Sequence, residues 1–522
     1  MDNPIVLTFD CGTQSIRALL VDKKGNILAK EQEQFTPYYS LEPGYAEQKP
    51  EIYWNALVKV SKNIHLNNKK LVDKIIAVTI TTIRDTFVCL DKQGKPLRDI
   101  IHWLDQREAK CEEPLPVKSS LAFSIVGLKE ALEDQRKISK SNWLRENEPE
   151  IWKKTDKFIL YSGYMVYRLT GKIVDSIASQ VAHLPFDYKN KKWHSPTSIM
   201  YPVFNVEKEK LSDLIEPGEI FGYIGKKIAE ETLIKEGLPL IATGSDKGCE
   251  TLGCGVLNND MASLSFGTSA TVQVSTIDYV EPDKMLPAYP GVVSGTYNPE
   301  VQVFRGYWMV SWFKKEFAEK EVLKANELGV SPEIVLNETL KDIPAGSEGL
   351  MLQPYWSPLL KLPEAKGSII GFSSEHTRAH VYKAIIEGIG YGLVEGLRRL
   401  EKNMGRKIKC LTVSGGGSQS DEICQITADM FGIPVRRIQT YEACGLGSSM
   451  VAFVSMGVFK DYKEAIENMV HYKTEFTPNK QVHEIYDELY SDIYKNIYHY
   501  LRPLYKKMRQ ITKRKGASKD VK

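Results

Sequence analysis

The chain has 522 residues, 42% hydrophobic and 26% charged, an ordinary globular make-up, long enough for at least two domains of roughly 100–200 residues each. Its 69 Lys and Arg against 66 Asp and Glu leave a formal charge of +3, so the overall balance offers no argument for a nucleic-acid or membrane partner. The 8 cysteines form no CxxC pair, the opening MDNPIVLTFDCGTQ has no secretory pattern, and no apolar run nears the ~18 residues of a bilayer span, which together point to reduced thiols in a cytoplasmic protein.

Taken in chain order, Pro4–Asp10 is apolar and rich in β-formers, a Gly-Thr turn follows, and Ser15–Asp22 returns. A KKGN turn then opens a third strand at Ile27. Apolar residues at helical spacing predict a helix over Pro50–Leu66, and KIIAVTITT (74–82) and DTFVCLD (85–91) read as buried strands. LPLIATGSD (238–246) is a strand entering a polar turn, and KGCETLGCG (247–255) a helix of small residues. Residues 260–277 again read strand, Gly-Thr turn, strand, which hints at an internal duplication. The second half continues with a helix over Ala379–Lys402, a strand from Lys409 into a Gly-rich turn, and helices over Ser420–Phe431 and Ala443–Met456. This alternation predicts an α/β protein. A boundary near 255 divides it into residues 1–255 and 256–511, with a basic, disordered tail at 512–522.

Several short segments carry residues suited to chemistry. Asp10, Gly12, Thr13, Gln14, Ser15 and Arg17 surround the first turn, where successive backbone N–H groups can converge on phosphate oxygens. Asp10, at the strand end, is placed to hold Mg2+ through water. The plain alternative is an ordinary hairpin. Gly267 and Thr268 form the second such turn, and two turns facing each other would grip a triphosphate from both sides. Gly415, Gly416 and Ser420 mark a strand–turn–helix junction open to close approach, though Ser420 also suits a plain N-cap. Asp246 stands where open α/β sheets bind ligands and could serve as a base or as the cap of the helix that follows. Arg84 and Asp85 at a strand end suit a polyol clamp, and Trp103 in HWLDQR offers an apolar face to a sugar; an ion pair and a core aromatic are the plainer readings. His376 and His380 share a helix face but lack a third metal ligand. The aromatic GYWMVSWF segment could serve a homodimer interface.

In this order and spacing, DCGTQSIR, WLDQR, GSDKG, SFGTS, GGGSQS and EACGLGSS resemble the FGGY carbohydrate kinases, from residue 4 to about 500. The resemblance implies a two-domain, actin-like (ribonuclease H-like) ATPase fold with ATP and Mg2+ in the interdomain cleft. It makes Asp246 the catalytic base. Thr13, Gln14 and Ser15, with Arg17 behind them, would form the first phosphate hairpin, and Gly267 and Thr268 the second. Gly306, Gly415, Gly416 and Ser420 would lie along the nucleotide. Arg84, Asp85, Trp103 and Lys247 would lie on the acceptor side. Glycerol kinases resemble the chain most at Arg84–Asp85, yet they carry Glu where Asp85 stands and Gln where Lys247 stands. A shorter acid and an added cation imply a small sugar or polyol somewhat larger or more oxygenated than glycerol. The alternative on the same fold is an actin- or Hsp70-like nucleotide-driven binding protein, or an inactive sugar sensor.

Overall fold

The computed structural model describes residues 3–125, 127, 129–258, 260–283, 286–356 and 364–516. Two six-stranded sheets organise it. The first is built from β1 (Ile5–Cys11), β2 (Ser15–Asp22), β3 (Ile27–Gln34), β4 (Ile75–Thr82), β5 (Ile220–Tyr223) and β6 (Pro239–Ile241), in the order β5-β6-β4-β1-β2-β3. The second is built from β7 (Met261–Phe266), β8 (Ala270–Val274), β9 (Glu300–Val303), β10 (Cys410–Ser414), β11 (Val435–Ile438) and β12 (Tyr472–Phe476), in the order β9-β8-β7-β10-β11-β12. Each sheet has a three-stranded antiparallel meander, then two parallel neighbours, then an antiparallel edge. The likeness of the two Gly-Thr hairpins therefore extends to whole sheets.

Every residue of β1 is buried because both faces of its sheet are covered. On one face lies α1 (Pro50–Asn67), whose Tyr53, Trp54, Leu57, Val60 and Ile64 line a single stripe against the sheet. On the other lies α2 (Ala443–Ser455), reaching over from the second half, with Leu446, Met450 and Phe453 packed against Val6, Leu19 and Val21. Numbered in order of introduction, α3 (Asp246–Gly253) leads out of the first sheet and lies against α2. The two helices touch backbone to backbone. A Cβ on Gly253 would lie 1.9 Å from the Ala443 carbonyl oxygen, and one on Gly447 1.9 Å from that of Cys249.

Phe87–Leu90 leaves the main sheet for a four-stranded one with Glu47–Gln48, Ile100–Ile101 and Lys157–Leu160. The cause is local: Asp85 has φ 50°, in the left-handed region, and turns the chain away. The last helix runs over Lys495–Gly516, so 512–516 are helical rather than disordered, as Lys and Arg permit; residues 517–522 lie outside the described residues. In GYWMVSWF, Met309, Val310 and Phe313 are buried in the second core, with Trp308 and Trp312 packed against it. Among the described residues no helix is long and apolar enough to cross a membrane.

Candidate active site

The first hairpin closes with the Gly12 N–H donating to the Ser15 carbonyl at 3.0 Å. Asp10, the last residue but one of β1, is buried and accepts from Arg17 NH1 at 3.0 Å. Arg17 Nε lies 3.7 Å from Glu442 Oε1, and Glu442 also accepts from Lys30. Burial raises the Asp10 pKa; Arg17 pulls it back, while the charges of Glu442 and Asp246 push it further up. Thr13 Oγ1 accepts from the Trp103 indole N–H at 3.1 Å. That bond ties the aromatic residue expected on the acceptor side to the tip of the first Gly-Thr turn. Gln14 is exposed and Ser15 Oγ accepts from Gln32 at 3.0 Å.

Asp246 opens α3, but the cap is Ser245, whose Oγ accepts from the Gly248 N–H at 3.3 Å. The Asp246 carboxylate is left 29% exposed, with Arg84 Nε 3.8 Å from Oδ1. Burial raises its pKa, and Arg84 and Lys247 draw it part of the way back. Lys247 donates to Glu250 Oε2 at 2.7 Å and to Ser265 Oγ at 2.6 Å.

Arg84 and Asp85 do not pair with each other. Arg84 grips Glu300 of β9 with both NH1 and NH2, at 3.0 and 2.9 Å. Its guanidinium also lies 5.7 Å from the centre of the Tyr289 ring. Asp85 accepts from His183, from the backbone N–H at 3.0 Å and from Nδ1 at 2.8 Å. Asp105 and Arg107 of the WLDQR segment are sealed inside: Arg107 bonds Asp105 and Glu47 and lies 4.0 and 4.5 Å from the ring centres of Tyr45 and Trp143.

On the far side, Gly267 and Thr268 form the turn between β7 and β8, and their carbonyls accept from the Tyr307 and Trp308 N–H groups at 3.1 and 3.2 Å. The close approach that Gly306 permits is to this hairpin, since a Cβ there would lie 2.3 Å from the Ala270 nitrogen. Gly415 (φ 81°) packs on the Phe266 backbone, whereas a Cβ on Gly416 would meet nothing within 4 Å. Ser420 is the N-cap of the helix Asp421–Phe431: its Oγ accepts from Ile423 N–H at 3.2 Å and donates to Glu422 at 2.8 Å, so its hydroxyl is engaged within the turn.

Around Asp246 the structure brings together Arg84, Lys247 and Asp10. The Asp246 charge acts on Asp10 beside the first turn, and the ammonium of its neighbour Lys247 lies 4.0 Å from where a Gly267 Cβ would be. Residues 5–253 match the FGGY family of carbohydrate kinases, N-terminal domain, and residues 262–456 its C-terminal domain. The chain belongs to the FGGY carbohydrate kinases. It is 30% identical to a xylulose kinase of Lactococcus lactis subsp. lactis, over 91% of this chain and 92% of that one. It is 28% identical to a glycerol kinase of Thermococcus gammatolerans, over 89% and 91%. A ligand-bound xylulose kinase from Lactobacillus acidophilus superposes with a TM-score of 0.81 at 22% identity, covering 97% of this chain and 100% of that structure. The actin- or Hsp70-like alternative is not favoured; the chain is an ATP-dependent sugar or polyol kinase.

Within this FGGY kinase, the sequence assigns no role to Glu300, His183 or Glu250, nor to Glu442 and Ser265, although these two open the EACGLGSS and SFGTS segments. Glu300 opens a strand, so an acid at the head of a motif or inside a β-rich run was the available signal. His183 had none, standing between Ala182 and Leu184 in an otherwise apolar stretch.

Proposed function

We propose that this kinase transfers the γ-phosphate of ATP to a hydroxyl of a small sugar or polyol larger or more oxygenated than glycerol, with Asp246 as general base. The observation that carries this is the position of Asp246: a partly exposed carboxylate at a helix start, with Arg84 3.8 Å away and its neighbour Lys247 reaching toward the Gly267 turn. Burial brings its pKa up toward working pH, the direction that improves a base. The acceptor hydroxyl gives its proton to Asp246 as its oxygen attacks the γ-phosphorus. The Thr13–Gln14 and Gly267–Thr268 turns offer backbone N–H groups to the phosphates. The Trp103 ring, anchored on Thr13, gives the carbon face of the acceptor an apolar surface.

The acids fit a magnesium ion held chiefly by phosphate oxygens and water. Asp10 and Asp246 are within electrostatic reach of each other, while no group of three or more His, Cys, Asp or Glu among the described residues forms a protein cage. Mg2+ there would neutralise charge on the triphosphate. The 8 cysteines are all free thiols, which supports a cytoplasmic location.

The test is ATP consumption across a panel of polyols, ketoses and sugar acids. With the true acceptor, Asp246→Asn should lower kcat by about 10²–10⁴-fold while ATP still binds. Full turnover in that variant would remove Asp246 from the role.

A further inference from the structure

Lys247 is the second residue of α3 and its side chain is only 15% exposed. An ammonium has three N–H donors. One goes to Glu250 Oε2 at 2.7 Å and one to Ser265 Oγ at 2.6 Å. Ser265 is the last residue but one of β7, just before the Gly267–Thr268 turn, and the ammonium lies against that turn, 4.0 Å from a Cβ placed on Gly267. Glu250 in turn accepts from Ser414, the last residue of β10 before the Gly415–Gly416 turn. Lys247 therefore sits where the helix bearing Asp246 meets both glycine turns of the second half. Burial works against its charge, but Glu250 and Asp246 outweigh burial and hold the ammonium above the ordinary lysine value. Lys247, expected on the acceptor side, turns its ammonium to Glu250 and Ser265.

We propose that Lys247 is a catalytic cation whose third N–H contacts the transferring γ-phosphoryl group. This rests on the kinase reading above. In the transfer, the bond between acceptor oxygen and phosphorus forms. The bond from phosphorus to the β–γ bridging oxygen breaks, and its electron pair leaves with ADP. The hydroxyl proton passes to Asp246. Lys247 neither gives nor takes a proton; it offsets negative charge on the equatorial phosphoryl oxygens, where a fixed, poorly solvated cation acts most strongly.

Full-length Lys247→Met and Lys247→Arg, assayed with the acceptor found above, separate this role from two others. The readouts are kcat, acceptor KM, thermal midpoint, and affinity for ADP with and without aluminium fluoride, a mimic of the transferring group. Lys247→Met should lose on the order of 10²–10³-fold in kcat, as for removal of one donor to a developing charge. Acceptor KM and ADP affinity should hold, and the extra affinity conferred by aluminium fluoride should vanish. Lys247→Arg should regain part of both kcat and that extra affinity. A raised acceptor KM with kcat retained would place Lys247 on the sugar and overturn the proposal. Parallel loss of ADP and ADP–aluminium fluoride affinity with a lowered midpoint in both variants would overturn it in favour of a structural tie. A wild-type chain that phosphorylates no acceptor would instead overturn the kinase reading, and this proposal with it.

Discussion

Arg84 and Glu300 hold each other through two parallel hydrogen bonds, 2.9 and 3.0 Å, across the gap between the two halves of the kinase. Their side chains are 16% and 4% exposed, so the pair is a bridge rather than a surface contact. Arg84 thus has two jobs, since its Nε is also the cation nearest Asp246, at 3.8 Å. The sign of each perturbation follows. Arg84 lowers the Asp246 pKa that burial raises. Arg84→Met removes that help, so the acid limb of kcat/KM should move to higher pH. Glu300→Gln removes the anion that shares Arg84, leaves more of its charge for Asp246, and should move the limb to lower pH. Each displacement should be on the order of one pH unit or less. Both limbs moving in the same direction would show that the acid limb is not Asp246.

The proposed acceptor side carries the Asp85–His183 pair. Asp85 stands at φ 50°, a conformation costing a non-glycine residue about 1 kcal/mol or more, and His183 holds it with both a backbone and a ring N–H. Losing a hydrogen bond to a charged group is worth about 1.5–3 kcal/mol. His183→Ala should therefore raise the acceptor KM roughly tenfold or more, with a smaller change in kcat and none in the KM for ATP. Initial-rate kinetics with the acceptor varied at saturating ATP would show it. A fall in kcat at constant acceptor KM would place the pair in the chemical step.

What the sequence made legible was local. Each Gly-Thr hairpin is a contiguous strand–turn–strand, and Asp246 sits between a β-run and a helix, so pattern located them, while their roles were implied only by the family resemblance. What it hid was long-range. Glu300 lies 216 residues from Arg84, and His183 98 residues from Asp85. No periodicity marks such partners, so Arg84 and Asp85 read as a pair when each belongs to a different network. The Arg-Asp dipeptide also drew the reading toward glycerol kinases, whereas over the whole chain the identities to a xylulose kinase and a glycerol kinase are 30% and 28%. Two residues cannot represent a resemblance spread evenly over two domains.

The contact between α2 and α3 should be intolerant of a single methyl group. A Cβ on Gly447 would lie 1.9 Å from the Cys249 carbonyl oxygen and 2.6 Å from the Gly253 nitrogen. Both neighbours are helix backbone and cannot swing aside, so the helices must part. Overpacking of this kind costs about 1–3 kcal/mol or more, and Gly447→Ala should lower the thermal midpoint by several degrees. Because α3 begins at Asp246, the same shift moves the proposed base. A displacement of about 1 Å can cost on the order of 10²-fold in rate, so the variant should be slow even at temperatures where it stays folded. Normal kcat in a destabilised Gly447→Ala would show that α3 slides without carrying Asp246 with it.

Two adjacent glycines separate binding from packing at the other end of the cleft. A Cβ on Gly416 would meet nothing within 4 Å, whereas one on Gly417 would lie 2.5 Å from the Tyr307 ring and 2.9 Å from the Phe266 Cβ. The Phe266 and Tyr307 rings are themselves in contact, 5.0 Å between centres. Gly417→Ala must therefore spread an aromatic pair behind the second phosphate turn and should lower the thermal midpoint. Gly416→Ala has free space, so it should leave the midpoint unchanged. If the adenosine end of ATP lies over this turn, that free space is where the nucleotide goes, and the added methyl should raise the KM for ATP with the acceptor KM held. Gly416→Val should raise it further. Thermal melts and ATP titrations of the three variants decide the matter: an unchanged ATP KM in Gly416→Val would move the nucleotide away from residues 415–420.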